Sequence, residues 1–150
     1  MNNLKKELYN LCLDYVQKRM EAAQQAINEA QKASNDDTKS SAGDKYETVR
    51  EMMQQEMNHN MAQLTEANKL KIILNKINPY VVTYKADSGS LVFTDNGTFY
   101  IAISAGILKV NNETYFAISP ASPVGLMLKG QKSGDEFKLN DKIYRIKQVI

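Results

Sequence analysis

Three aspartates, Asp36, Asp37 and Asp44, surround a turn of small residues in SNDDTKSSAGDKYETVRE, residues 34–51. A connector between helices needs only polar residues, so carboxylates gathered there are candidates for chemistry. Each also has a structural reading. Ser41-Ala-Gly-Asp44 fits a capping-box-like pattern, in which an acid at the third helical position answers a serine N-cap, and an acid in the first turn suits the helix dipole. Asp36 and Asp37 equally suit a solvated turn. The other reactive side chains are few: one cysteine, Cys12, and one histidine, His59. They form no set of Cys/His zinc ligands, and Cys12 has no second cysteine in the chain for a disulfide. A nucleophilic cysteine needs an adjacent base and a lowered pKa. Cys12 instead lies on an apolar helical stripe and reads as a small core residue, while His59, between Asn58 and Asn60, reads as solvated. A condensing or acyl-transfer enzyme, which needs a nucleophile, a base and a substrate tunnel, is therefore a poor reading.

The elements that must position these acids follow from the apolar spacing. From Leu4, the positions Leu8, Leu11, Tyr15, Ala22, Ala23, Ile27 and Ala30 recur three and four apart, with an interruption near Arg19. A second series runs Tyr46, Val49, Met53, Met57, Met61, Leu64, Ala67, Leu70, Leu74 and Ile77. Two long amphipathic helices joined by a short turn must pair antiparallel to bury both stripes, which makes residues 1–79 a coiled-coil hairpin. Each helix of roughly 30 residues would be about 45 Å long.

At Asn78-Pro79 the composition changes, and proline disfavours helix in the residue before it. Short β-prone runs follow: VVTY (81–84), LVF (91–93), FYIAIS (99–104), ILKV (107–110) and TYFAIS (114–119). SPVGLMLKG predicts one short helix, capped by Ser122, opened by Pro123 and ended by Gly130. DEFKL and KIYRIKQV around Asn140-Asp141 predict a closing hairpin. The chain is thus expected to be α+β, with residues 80–150 a small sheet domain able to fold alone.

The 150 residues, 43% of them hydrophobic, suffice for one compact domain or two small ones. A net charge of +2 from 19 basic and 17 acidic side chains gives no global field toward nucleic acid or anionic lipid. No apolar run is long enough to span a bilayer, and charges interrupt the N-terminal apolar positions, so a cytoplasmic location is expected.

The helical hairpin, the helix opened by Ser122-Pro123 and the segment LKGQKSGDEF leading to the last strand pair resemble the GreA/GreB family of bacterial transcript cleavage factors. AGDKYETVRE is similar to that family's start of the second helix, with Tyr46, Arg50 and Glu51 in register. The resemblance implies an FKBP-like sheet domain that docks on RNA polymerase near its secondary channel. It further implies that the hairpin enters the channel as a monomeric factor and meets the RNA 3′ end only within that complex. Acidic residues at the turn would then help to hold a magnesium ion shared with the polymerase and promote hydrolysis of backtracked RNA.

By this resemblance Asp37 and Asp44 are the candidate catalytic residues, and Asp36, Asp37 and Asp44 the candidate metal ligands. Mg²⁺ prefers oxygen donors and is often held by one or two carboxylates plus phosphate oxygens; a metal pair stabilises the attacking and leaving oxygens of a phosphodiester. Such a factor is no stand-alone enzyme. Counting back from Tyr46, Ala42 and Lys39 stand where the family has its two carboxylates, with the aspartates nearby. The alternative is a non-catalytic occupant of the same channel that alters initiation or pausing. Lys39, Lys45 and Arg50 suit either RNA phosphates or exposed ion pairs, and Tyr46 either packing or a role at the catalytic centre.

Overall fold

A computed structural model describes the backbone of residues 2–37 and 44–150 and the side chains of residues 3–33 and 47–150. Two long helices, α1 (Asn2–Asp37) and α2 (Asp44–Asn75), precede a six-stranded mixed sheet with one short helix, an α+β architecture. Two compact units result: Met1–Tyr15 with Ile72–Ile150, and Val16–Lys71. Regular helix ends at Asn75. The N–H groups of Lys76 and Ile77 then donate to Ile73 and Leu74 oxygens at 3.2 and 3.0 Å, a tightened last turn ahead of Pro79.

In the helical unit Arg19 donates to Gln63 Oε1 at 3.2 Å, while Ala26 and Ala30 line a cleft with Val49 and Met53. Rising numbers on α1 meet falling numbers on α2, so the pairing is antiparallel. Val16, Ala23 and Ile27 are buried on α1, opposite a seam of Met53, Met57, Asn60, Leu64 and Ala67 on α2. The spacing predicted Met61 in that seam. The structure instead buries Asn60, 8% exposed, and leaves Met61 54% exposed. Successive four-residue steps from Val49 each drift by about 40° on a helix of 3.6 residues per turn, and a three-residue step at Asn60 restores the stripe.

The sheet consists of β1 (Leu91–Thr94), β2 (Gly97–Ile101), β3 (Gly106–Val110), β4 (Glu113–Ile118), β5 (Glu136–Leu139) and β6 (Lys142–Val149). Their order is β3-β4-β2-β1-β6-β5. Among the described residues β2 and β4 pair parallel, and the other neighbouring strands pair antiparallel. Asn111-Asn112 (φ 51° and 66°) and Asn140-Asp141 (φ 53° and 66°) turn the β3–β4 and β5–β6 hairpins with both central residues left-handed, the geometry matched to strand twist. VVTY forms no strand. Asn78 Oδ1 accepts from Tyr80 N–H and the Asn78 carbonyl from Val81 N–H, so a local turn claims the segment before any strand can pair with it.

Both faces of the sheet are covered. On one, Val92, Phe99, Ile101, Ile146 and Val149 form a core with Leu128 of α3 (Pro123–Leu128). Phe137 stacks on Tyr144 with centroids 4.9 Å apart, and Tyr144 meets Phe99 edge-on at 6.1 Å. The opposite face carries Leu91, Tyr100 and Tyr115, and the first turns of α1 lie over it: Tyr100 feels Cys12 and Tyr9, and Tyr115 feels Glu7. Tyr9 Oη also donates to the Leu74 carbonyl at 2.9 Å, tying the start of α1 to the end of α2 within this unit.

Candidate functional site

The backbone of α1 continues through Asp36 and Asp37, and α2 is described from Asp44 onward. Two long helices therefore bracket residues 38–43 with acids on both sides. The carboxyl groups of Asp36, Asp37 and Asp44 lie outside the described residues, as do Lys39, Ser41 and Ala42 and the side chains of Lys45 and Tyr46. As a donor set, three carboxylates with no sulfur or nitrogen suit a hard ion such as Mg²⁺. Among the described side chains no group of three His, Cys, Asp or Glu is placed to hold a metal. The adjoining turns of α2 present Glu47, Arg50 and Glu51 to solvent, with alternating charge.

A second candidate lies in the sheet unit. Ser122 Oγ accepts from Gly125 N–H at 3.1 Å and donates to the Ser119 carbonyl at 2.7 Å, so one hydroxyl caps α3 and closes the preceding turn. Pro123 occupies the first helical position, where its missing N–H costs no hydrogen bond. A Cβ on Gly125 would lie 2.2 Å from the Ser119 carbonyl oxygen, so this close approach requires glycine. Beyond α3, Gly130 has φ 78° and Gly134 φ 94°. Asp135 Oδ2 accepts from Lys132 N–H at 2.9 Å, and the Asp135 carbonyl accepts from Ile146 N–H at 2.8 Å, which fixes the segment leading to β5. Leu126, 63% exposed, faces outward from α3.

Cys12 is fully buried, and desolvation pushes its thiol up to about 12, the opposite of an activated nucleophile. Burial also raises the pKa of Tyr100, whose hydroxyl has no hydrogen-bond partner among the described residues. Asn60 Nδ2, in the helical seam, likewise lacks a partner among the described residues. Lys5 is 3% exposed, and its Nζ donates to the Val81 carbonyl at 2.6 Å. Burial lowers its pKa. Sequence reasoning missed Lys5, although its spacing to Leu8 and Cys12 of three and then four places it on the buried stripe.

No family model matches this chain, and neither the curated proteins nor the solved structures include a significant match to it. The fold defines it as an α+β chain built from an antiparallel helical pair and a six-stranded mixed sheet. No helix among the described residues is long and apolar enough to cross a membrane.

Proposed function

We propose that this chain is a Gre-like transcription factor of the bacterial cytoplasm that binds RNA polymerase as a monomer and promotes cleavage of backtracked RNA. The observation that carries the reading is the pair of long antiparallel helices bracketing residues 38–43, with Asp36 and Asp37 on one side and Asp44 on the other. The Ser-Pro-initiated α3 and the turn into β5 support it, because they occupy the segments that resemble the family. In this reading the sheet unit is FKBP-like and docks on the polymerase, with α3 and the following loop as its contact.

Asp37 and Asp44, with Asp36 beside them, would hold Mg²⁺ jointly with the polymerase, since carboxylates are hard donors and few are needed when phosphate oxygens and waters complete the shell. The ion, when bound, supplies Lewis-acid stabilisation of charge on the scissile phosphodiester. The chain's own contribution is to carry the carboxylates and to present them on paired helices. A free protein with so few donors binds the ion weakly.

The second reading, a channel occupant that does not cleave, is favoured by one observation: Ala42 and Lys39 stand at the positions where the resemblance expects carboxylates. Stalled, backtracked elongation complexes with labelled RNA separate the two. Shortened RNA on addition of the protein supports cleavage. Binding to the polymerase with RNA of unchanged length supports the regulator, and absence of binding contradicts both.

A further inference from the structure

Lys5 is a buried cation with no carboxylate partner among the described residues. Among the described residues its ammonium donates one hydrogen bond, to the Val81 carbonyl, and takes part in no ion pair. It also lines a cleft of about 340 Å³, at the small end of the roughly 300–1,000 Å³ typical of ligand sites. Ile73, Ile77 and Val81 supply hydrocarbon walls. Lys76 adds a second positive charge, Asn78 and Ser88 add polar edges, and no Asp or Glu lines the space.

The wall's hydrogen bonds decide the class of ligand. Several backbone donors are already committed: Val81 N–H to the Asn78 carbonyl, Gly89 N–H to the Ile101 carbonyl, and Ser88 N–H to Asp87 Oδ1. Thr83 Oγ1 shares a 2.8 Å hydrogen bond with Ser90 Oγ. A phosphate dianion, with three acceptor oxygens, characteristically draws on clustered backbone N–H groups, and the committed ones cannot serve it. A monoanion with two oxygens and an apolar body matches one desolvated ammonium set among isoleucine and valine side chains. Pairing there would add a counter-charge and a second charge-assisted hydrogen bond to the one Lys5 already makes with the Val81 carbonyl.

We propose that this cleft binds a small aliphatic carboxylate, with the carboxylate on the Lys5 ammonium and the hydrocarbon chain against Ile73, Ile77 and Val81. The site is independent of the transcription reading and concerns the sheet unit alone, since all its residues belong to Met1–Tyr15 and Ile72–Ile150.

The test uses the full chain with ¹³C-labelled lysines, the Lys5 signal being assigned by its loss in Lys5→Met. Sodium hexanoate, acetate and phosphate are titrated at an ionic strength held constant with chloride. Hexanoate should move the Lys5 Cε signal saturably, more tightly than acetate does, while Lys18 on the exposed face of α1 stays still. Hexanoate should also raise the wild-type melting temperature, and Lys5→Met should weaken hexanoate binding at least about tenfold, a loss of about 1.4 kcal/mol. The proposal is overturned if the Lys5 signal does not move, if all lysines shift alike, or if phosphate saturates the site and hexanoate does not. It is equally overturned if Lys5→Met keeps the full thermal response. Should Lys5→Met not fold, the wild-type titration decides, with assignment through Lys5→Arg.

Discussion

A single buried lysine shows how the molecule's residues carry opposing demands. Lys5 has a folded-state pKa below its ordinary 10.5, because burial penalises the charged form. Between the two pKa values the unfolded chain binds more protons, so this residue's contribution to stability improves as pH rises through that window, and its penalty is full at lower pH. Cys12 acts in the opposite sense. Its thiol, raised from 9.0 to about 12, stays neutral in the fold while the unfolded chain ionises, so stability falls as pH rises between those values. Lys5→Met should therefore unfold at higher urea than the wild type at pH 7, with the advantage shrinking as pH approaches 10.5. Removing the ammonium also removes the hydrogen bond that the Val81 carbonyl accepts, a cost set against the relief of the buried charge. A Lys5→Met protein less stable at pH 7 would show that the ammonium is a net structural asset. Cys12 could be read as core from sequence because its type and spacing agree. Lys5 was missed because its charge argues for solvent, which outweighed the spacing to Leu8 and Cys12 that argues for the interior.

At the scale of the element, the helical seam and α3 make separate demands. Asn60 places an amide nitrogen without a hydrogen-bond partner among Met57, Leu64 and Ala67. Leaving such a group unsatisfied costs about 1–3 kcal/mol, and a seam asparagine is a known means of fixing helix register. Asn60→Leu should raise the urea midpoint; unchanged or lowered stability would mean that the amide is satisfied in solution. In α3, Ser122→Ala should cost about 1 kcal/mol through the lost cap. Gly125→Ala should cost about 1–3 kcal/mol, because its new Cβ would overlap the Ser119 carbonyl and strain the turn. Equal, negligible effects in chemical denaturation would contradict this account of the helix start. Ser122-Pro123 and Gly130 made α3 legible, since capping chemistry is local. The segment 81–84 misled because β-propensity cannot report whether a partner strand exists, and Asn78 supplies a competing turn. Met61 was misplaced because apolar type outweighed the accumulated drift of four-residue steps.

For the whole molecule, helical periodicity and the Pro79 break made the order of elements readable, but not which residues would pack together over distance. Tyr100 and Leu91 are buried within a unit that also includes Met1–Tyr15. Joining residues 1–15 to 72–150 through a short Gly-Ser linker should give a folded protein with protected β1 and β2 amides, since Tyr9 and Leu74 already lie within a hydrogen bond of each other. Residues 80–150 alone, lacking the start of α1 over Tyr100, should protect those amides less; equal exchange in both fragments would show the helical cover to be dispensable. The acidic turn was legible as a candidate, while its carboxylate geometry depends on side chains beyond those described. Its function is tested most directly by cleavage of backtracked RNA at matched polymerase occupancy, comparing the wild type with a variant carrying Asp36→Asn, Asp37→Asn and Asp44→Asn. These changes preserve shape and remove the charge that would attract Mg²⁺. The wild type should shorten the RNA, and the triple variant should bind the polymerase with similar affinity yet cleave slower by orders of magnitude, partly rescued by higher Mg²⁺. Cleavage by the triple variant at the wild-type rate, or none by the wild type at full occupancy, would contradict the catalytic account.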